Sequence, residues 1–134
     1  MARKILVIDD DPDVLLATRL PLEREGYEVY EALDEVQGLE QVKSILPDLI
    51  ILDVMMGTHT AGFQLAQELH GPDAPAALRR IPIVMVTAVH QTTPLRFRPE
   101  SDYLPVQAFL EKPLDPRRLL DEVRKLLPPE QIGE

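Results

Sequence analysis

Hydrophobic and polar positions fall in blocks along the chain, short apolar runs alternating with stretches in which apolar residues recur every three or four positions. The first run, "KILVID", is apolar from Ile5 to Ile8, as in a strand covered on both faces. Asp11 and Pro12 then supply an N-cap and a first helical position, which predicts a helix from about Pro12 to Glu25. Val14, Leu15, Thr18 and Leu22 give it one apolar stripe, and Gly26 is a natural stop. Pro21 falls inside this helix and predicts a kink or a missing hydrogen bond. "YEVYEA" (27–32) alternates like an edge strand. Asp34 caps a second helix with Val36, Leu39, Val42 and Ile45 on its stripe, ending before Pro47.

"DLIILD" (48–53) is a second strongly apolar strand. Gly62 to His70 reads as a third helix, closed by Gly71 and Pro72. "IPIVMVTA" (81–88) and the shorter "AFLEK" (108–112) are further strands. Asp115 to Leu127 is a closing amphipathic helix carrying Leu119, Leu120, Val123 and Leu126. Between 89 and 106 the period is lost and Pro94, Pro99 and Pro105 intervene, so no full helix is expected there. The boundaries predict one domain over 1–127 and a frayed tail over 128–134, with no internal repeat, low-complexity tract or second domain. Strands alternating with helices mean a parallel α/β sheet with right-handed crossovers and helices on both faces.

Composition narrows the classes. A chain of 134 residues, 45% hydrophobic, is one globular domain with room for a core. Its net charge of −9 argues against nucleic acid as a direct partner, because phosphate binding needs Lys and Arg in excess. The absence of Cys excludes disulfides and thiolate metal sites. With no 18-residue apolar stretch, no membrane partner is expected, and the expected location is the cytoplasm.

One cluster then asks for an explanation. Asp9, Asp10 and Asp11 crowd against the end of an apolar strand. At about 4 Å two like charges repel by roughly 1 kcal/mol in water and about 4 kcal/mol at an effective dielectric of 20. In doubly wound sheets, ligands bind beyond the carboxyl ends of the strands. Asp9 and Asp10 end the first strand, Asp53 the third, Thr87 the fourth and Lys112 the fifth, so all converge on one edge. A hard divalent cation relieves such carboxylates, and Mg²⁺ suits acids, waters and a phosphate; Mn²⁺ is its natural substitute. Asp11 reads as the helix cap rather than a ligand. His59, His70 and His90 lack ligand spacing and read as surface or loop residues, and Met55 and Met56 as packing.

The stretches "ILVIDDDPD", "PDLIILDVMM", "IPIVMVTA" and "FLEKPLDP", in this order, resemble the receiver domain of two-component response regulators over residues 3–127. The resemblance implies a flavodoxin-like, doubly wound, five-stranded parallel sheet in the order 2-1-3-4-5. It implies phosphorylation of Asp53 and Mg²⁺ held by Asp9, Asp10, Asp53 and the backbone carbonyl of Met55. Thr87 and Lys112 match the residues that contact the phosphoryl group, and Lys112–Pro113 matches a bond that is cis in the family. Phe109 falls at the aromatic switch position, although a fixed core aromatic fits equally well. The implied donor is a phosphohistidine on a sensor histidine kinase or histidine phosphotransfer protein. The implied output is a downstream protein partner docking on the 89–106 segment, the fifth strand and the closing helix.

Two stretches depart from the pattern. "GTHTAGF" (57–63) lacks the family's Pro-Gly and acid-Gly pairs, and the segment from Ala88 to Glu111 is longer, with Pro-Val in place of Gly-Ala. In the latter, Leu95, Phe97 and Tyr103 beside Arg96 and Arg98 suit a protein-binding surface. The expected activity is a self-resetting phosphorylated switch, not a turnover enzyme. The alternatives are a pseudo-receiver that binds partners without phosphorylation, and a Mg²⁺-dependent aspartyl-phosphate phosphohydrolase. The complete acidic, hydroxyl and lysine set tells against the first, and adjacent Asp9–Asp10 in a small chain against the second.

Overall fold

In a computed structural model, which describes residues 3–53, 65, 68–71, 74–87, 108–111 and 115–127, every apolar run is a strand. They are β1 (Lys4–Ile8), β2 (Glu28–Ala32), β3 (Leu49–Asp53), β4 (Ile83–Thr87) and β5 (Ala108–Glu111). They pair in parallel in the order β2-β1-β3-β4-β5, the flavodoxin-like arrangement expected. Alternation within the runs splits the core in two. Leu6, Ile8, Ile50, Leu52, Ile83 and Met85 face one way, joined by Val42, Leu65, Leu69 and Leu78. Ile5, Val7, Leu49, Ile51, Val84 and Val86 face the other, under Leu15, Leu22, Leu119 and Val123. Both faces of the central strands are covered, which explains why these strands read as unbroken apolar runs.

Helix α1 spans Pro12–Arg24, and the carboxylate of Asp11 caps it by accepting from the Asp13 N–H at 2.9 Å. The helix is continuous through Pro21, whose ring costs it a single N–H four residues after Ala17. Thr18 belongs to the buried stripe because its hydroxyl donates to the Val14 carbonyl at 2.7 Å. Gly26, at φ 96°, ends the helix, its N–H reaching the Glu23 carbonyl. Arg19 pairs with Glu23 within α1 and ties the helix to β2 through Glu31, and these hydrogen bonds raise its pKa above the usual guanidinium value.

Helix α2 spans Glu35–Ile45. Its cap is reciprocal: Asp34 accepts from the Gln37 N–H at 2.8 Å, and the Gln37 side chain accepts from the Leu33 N–H at 3.0 Å. The predicted stripe needs one correction. Val36 is 64% exposed, because the buried side of α2 centres on Gly38 and Val42, and two positions correspond to roughly 200° around a helix. Leu46 closes α2 in the left-handed region at φ 52°.

Leu65 and residues 68–70 are helical, within the predicted third helix. The single turn Ala76–Arg79, which buries Leu78, was not anticipated. His70 corrects its reading as a surface residue: it is half-buried, with Nε2 2.6 Å from the Ile81 carbonyl oxygen. The closing helix spans Pro116–Leu126, capped by Asp115, and Arg124 joins it to Glu25 at 2.8 Å. The predicted irregular segment 89–106, His59, His90 and the 128–134 tail lie outside the described residues. Among the described residues no helix is long and apolar enough to cross a membrane.

Candidate functional site

Register decides which side chains meet at the carboxyl edge of the sheet. Ile8 pairs with Leu52, so Asp9, the next residue, is level with Asp53. Asp53 pairs with Val86, which sets Thr87 one position further out on β4. Thr87 in turn pairs with Glu111, the residue before Lys112. Parallel strands with their carboxyl ends together thus bring the predicted acids of β1 and β3 to the same edge as the ends of β4 and β5.

The acids are held there by local bonds. The Asp9 N–H donates to the Ala32 carbonyl at 3.1 Å, carrying the β1–β2 pairing one residue past the strand. Asp9 Oδ1 accepts from the Asp11 N–H at 2.9 Å, an Asx-turn that points the carboxylate inward while the chain turns into α1. Asp9 is 2% exposed and Asp53 3%, whereas Asp10 is exposed. One carboxylate oxygen from each of Asp9, Asp10 and Asp53 lies within 4.8 Å of the others. Asp11 stands apart as the α1 cap, as its sequence position suggested.

Burial of two carboxylates beside a third is costly unless the charges are compensated. Three hard oxygen donors, two of them held in place by the sheet, suit a small divalent cation that keeps part of its water shell. The donor chemistry therefore fits Mg²⁺ and offers nothing for a soft metal. Thr87 and Phe109 are placed by their backbones, in β4 and β5. Their side chains, and Met55, Lys112 and Pro113 altogether, lie outside the described residues.

Sequence reasoning missed the layer behind the acids. Gly38 of α2 lies against Ile8, the residue before Asp9, and Gln41 Nε2 donates to the Glu31 carbonyl at 2.8 Å. The available signal was a glycine inside an otherwise regular helix, which is usually kept for a close approach.

Residues 5–124 match the family model for the response regulator receiver domain. The chain is 34% identical over 124 residues to the DNA-binding dual master transcriptional regulator RpaA of Synechocystis sp., covering 92% of this chain and 48% of the relative. It is 32% identical over 130 residues to the DNA-binding response regulator MtrA of Mycolicibacterium smegmatis, covering 95% and 51%. The chain spans about half the length of these curated relatives. Among solved structures, the chemotaxis protein CheY4 of Vibrio cholerae is similar, with a TM-score of 0.81 at 27% identity over 95% of this chain and 100% of that one. A CheY-like receiver domain protein from Methanospirillum hungatei gives a TM-score of 0.71 at 28% identity over 94% of each chain.

Proposed function

The chain belongs to the response regulator receiver domain family of two-component signalling, and from that premise we propose that Asp53 is its phosphoacceptor in a Mg²⁺-dependent switch. The observation that carries this reading is the mutual approach of Asp9, Asp10 and a buried Asp53 at the sheet's carboxyl edge. The Asp53 carboxylate attacks phosphorus of a partner's phosphohistidine. An O–P bond forms, the N–P bond breaks, and the imidazole nitrogen leaves with the electron pair, giving an acyl phosphate. Asp9, Asp10 and Asp53, with the Met55 carbonyl, are the groups that would hold Mg²⁺. When bound, the cation neutralises charge on the equatorial phosphoryl oxygens.

The Thr87 hydroxyl supplies a donor to the phosphoryl group and the Lys112 ammonium a counter-charge. Burial shields Asp53 from bulk solvent, and its place at the end of a paired central strand limits how far the carboxylate can move. Water later attacks phosphorus, releases inorganic phosphate and restores the carboxylate, so the domain resets itself instead of turning over a substrate. The donor is a sensor histidine kinase or histidine phosphotransfer protein, met in the cytoplasm. A downstream protein partner reads the state through β5, the closing helix and the 89–106 segment.

Intact mass after incubation with acetyl phosphate and Mg²⁺ tests the reading. One phosphoryl adduct is expected on the natural chain and none on Asp53→Asn. An adduct of equal yield on Asp53→Asn would move the nucleophile to another acid.

A further inference from the structure

We propose that Gly38 is a positioning residue for Asp9: by lacking a side chain it lets α2 bear directly on Ile8 and so fixes the strand end that carries the acid. The inference rests on the reading of Asp9 as a cation ligand. A glycine in a helix interior costs about 1 kcal/mol relative to alanine. At this position the gain is space. A Cβ on Gly38 would stand 2.7 Å from Ile8 Cδ1 and 3.3 Å from its Cγ1 and Cγ2.

Ile8 has little room to yield. It is fully buried, it shares a cluster with Ala32, Val42 and Leu52, and two of these, Ala32 and Leu52, are also its register partners on either side. Successive side chains along a strand point to opposite faces. Pressure on Ile8 from α2 is therefore passed through the backbone to the next residue, Asp9. Asp9 is held only a peptide away, by its bonds to the Ala32 carbonyl and the Asp11 N–H. Gln41, three residues after Gly38 and on the same side of α2, grips the Glu31 carbonyl. Helix α2 thus holds β1 and β2 at the level where the acid leaves the sheet, and Gly38 sets how closely it sits.

The test is Mn²⁺ binding to the full chain, read from the free-ion signal in electron paramagnetic resonance, for the natural protein, Gly38→Ala and Gly38→Ala with Ile8→Val. Circular dichroism confirms that each is folded, and thermal melts record stability separately. Gly38→Ala should weaken Mn²⁺ binding by about tenfold, the scale of losing a group that orients a ligand. Ile8→Val removes the Cδ1 that the new methyl meets, and should restore most of the affinity. A merely structural glycine would move the melting temperature and leave the affinity alone. Unchanged affinity in Gly38→Ala, or a loss that Ile8→Val does not repair, overturns the proposal. Failure of the natural chain to bind Mn²⁺ would instead overturn the cation reading itself, and the role of Gly38 with it.

Discussion

Asp9, Asp10 and Asp11 are chemically identical and adjacent, yet each has a different surrounding. Asp9 is buried with Oδ1 on the Asp11 N–H, Asp10 is exposed, and the Asp11 side chain is spent on the Asp13 N–H. The cap was legible because Asp followed by Pro before an apolar-periodic stretch is a local signal. The placement of Asp9 against β2 was not, since its backbone N–H is held by the Ala32 carbonyl of a neighbouring strand. His70 was misread for the same reason, its partner being the carbonyl of Ile81. Asp9→Asn separates the two duties of the residue. An amide oxygen can still accept from the Asp11 N–H, so the turn survives, while one charge is removed from a cluster within 4.8 Å. Without divalent cation, the variant should therefore melt at the same temperature as the natural chain or higher, and it should lose most of its response to Mg²⁺. A melt several degrees lower in the absence of the cation would mean that the Asp9 charge itself holds the fold.

At the element scale, most boundaries were legible because they are written in caps. Asp11, Asp34 and Asp115 each accept from a first-turn N–H, the first two as predicted and the third where the closing helix was expected to begin. The exceptions lack such signals. Ala76–Arg79 starts at Pro75 with no side-chain cap and is held by the burial of Leu78. The exposure of Val36 follows from which side of α2 meets the sheet, and that is set by Gly38 against Ile8, a tertiary contact. For α2, the reciprocal cap predicts a measurable asymmetry. Asp34→Ala removes the acceptor for the Gln37 N–H and should cost about 1 kcal/mol, whereas Asp34→Asn keeps an oxygen there and should cost a few tenths at most. Urea unfolding checks this as a lower midpoint at unchanged slope. Equal midpoints for the two variants would show that solvent serves the N–H as well as the side chain does. The positive φ of Gly26 invites a second substitution. Gly26→Ala should lose roughly 1–2 kcal/mol through backbone strain alone, because open space surrounds the added methyl.

For the whole molecule, four apolar runs, one alternating segment and the intervening helices pointed to the class of fold, but the site depends on the order in which those strands are laid side by side. Order β2-β1-β3 makes β1 and β3 neighbours although β2 lies between them in sequence, and the Ile8–Leu52 register then sets Asp9 beside Asp53. No local pattern encodes that adjacency; it follows from right-handed crossovers burying two apolar faces at once. One consequence is that a cation at this edge holds together the ends of the two central strands, and the unfolded chain, which scatters its acids, offers it no comparable site. Binding to the native state alone stabilises by mass action, about 2.7 kcal/mol when free cation is about a hundredfold above its dissociation constant. The melting temperature should therefore climb with the logarithm of Mg²⁺ concentration through the millimolar range. Beryllofluoride, a phosphoryl mimic that adds a ligand to the cation, should steepen the rise, and Asp9→Asn should flatten it. If the melting temperature stays constant across millimolar Mg²⁺ both with and without beryllofluoride, the three converging carboxylates are not a cation site, and the buried charges of Asp9 and Asp53 are balanced by protein groups instead.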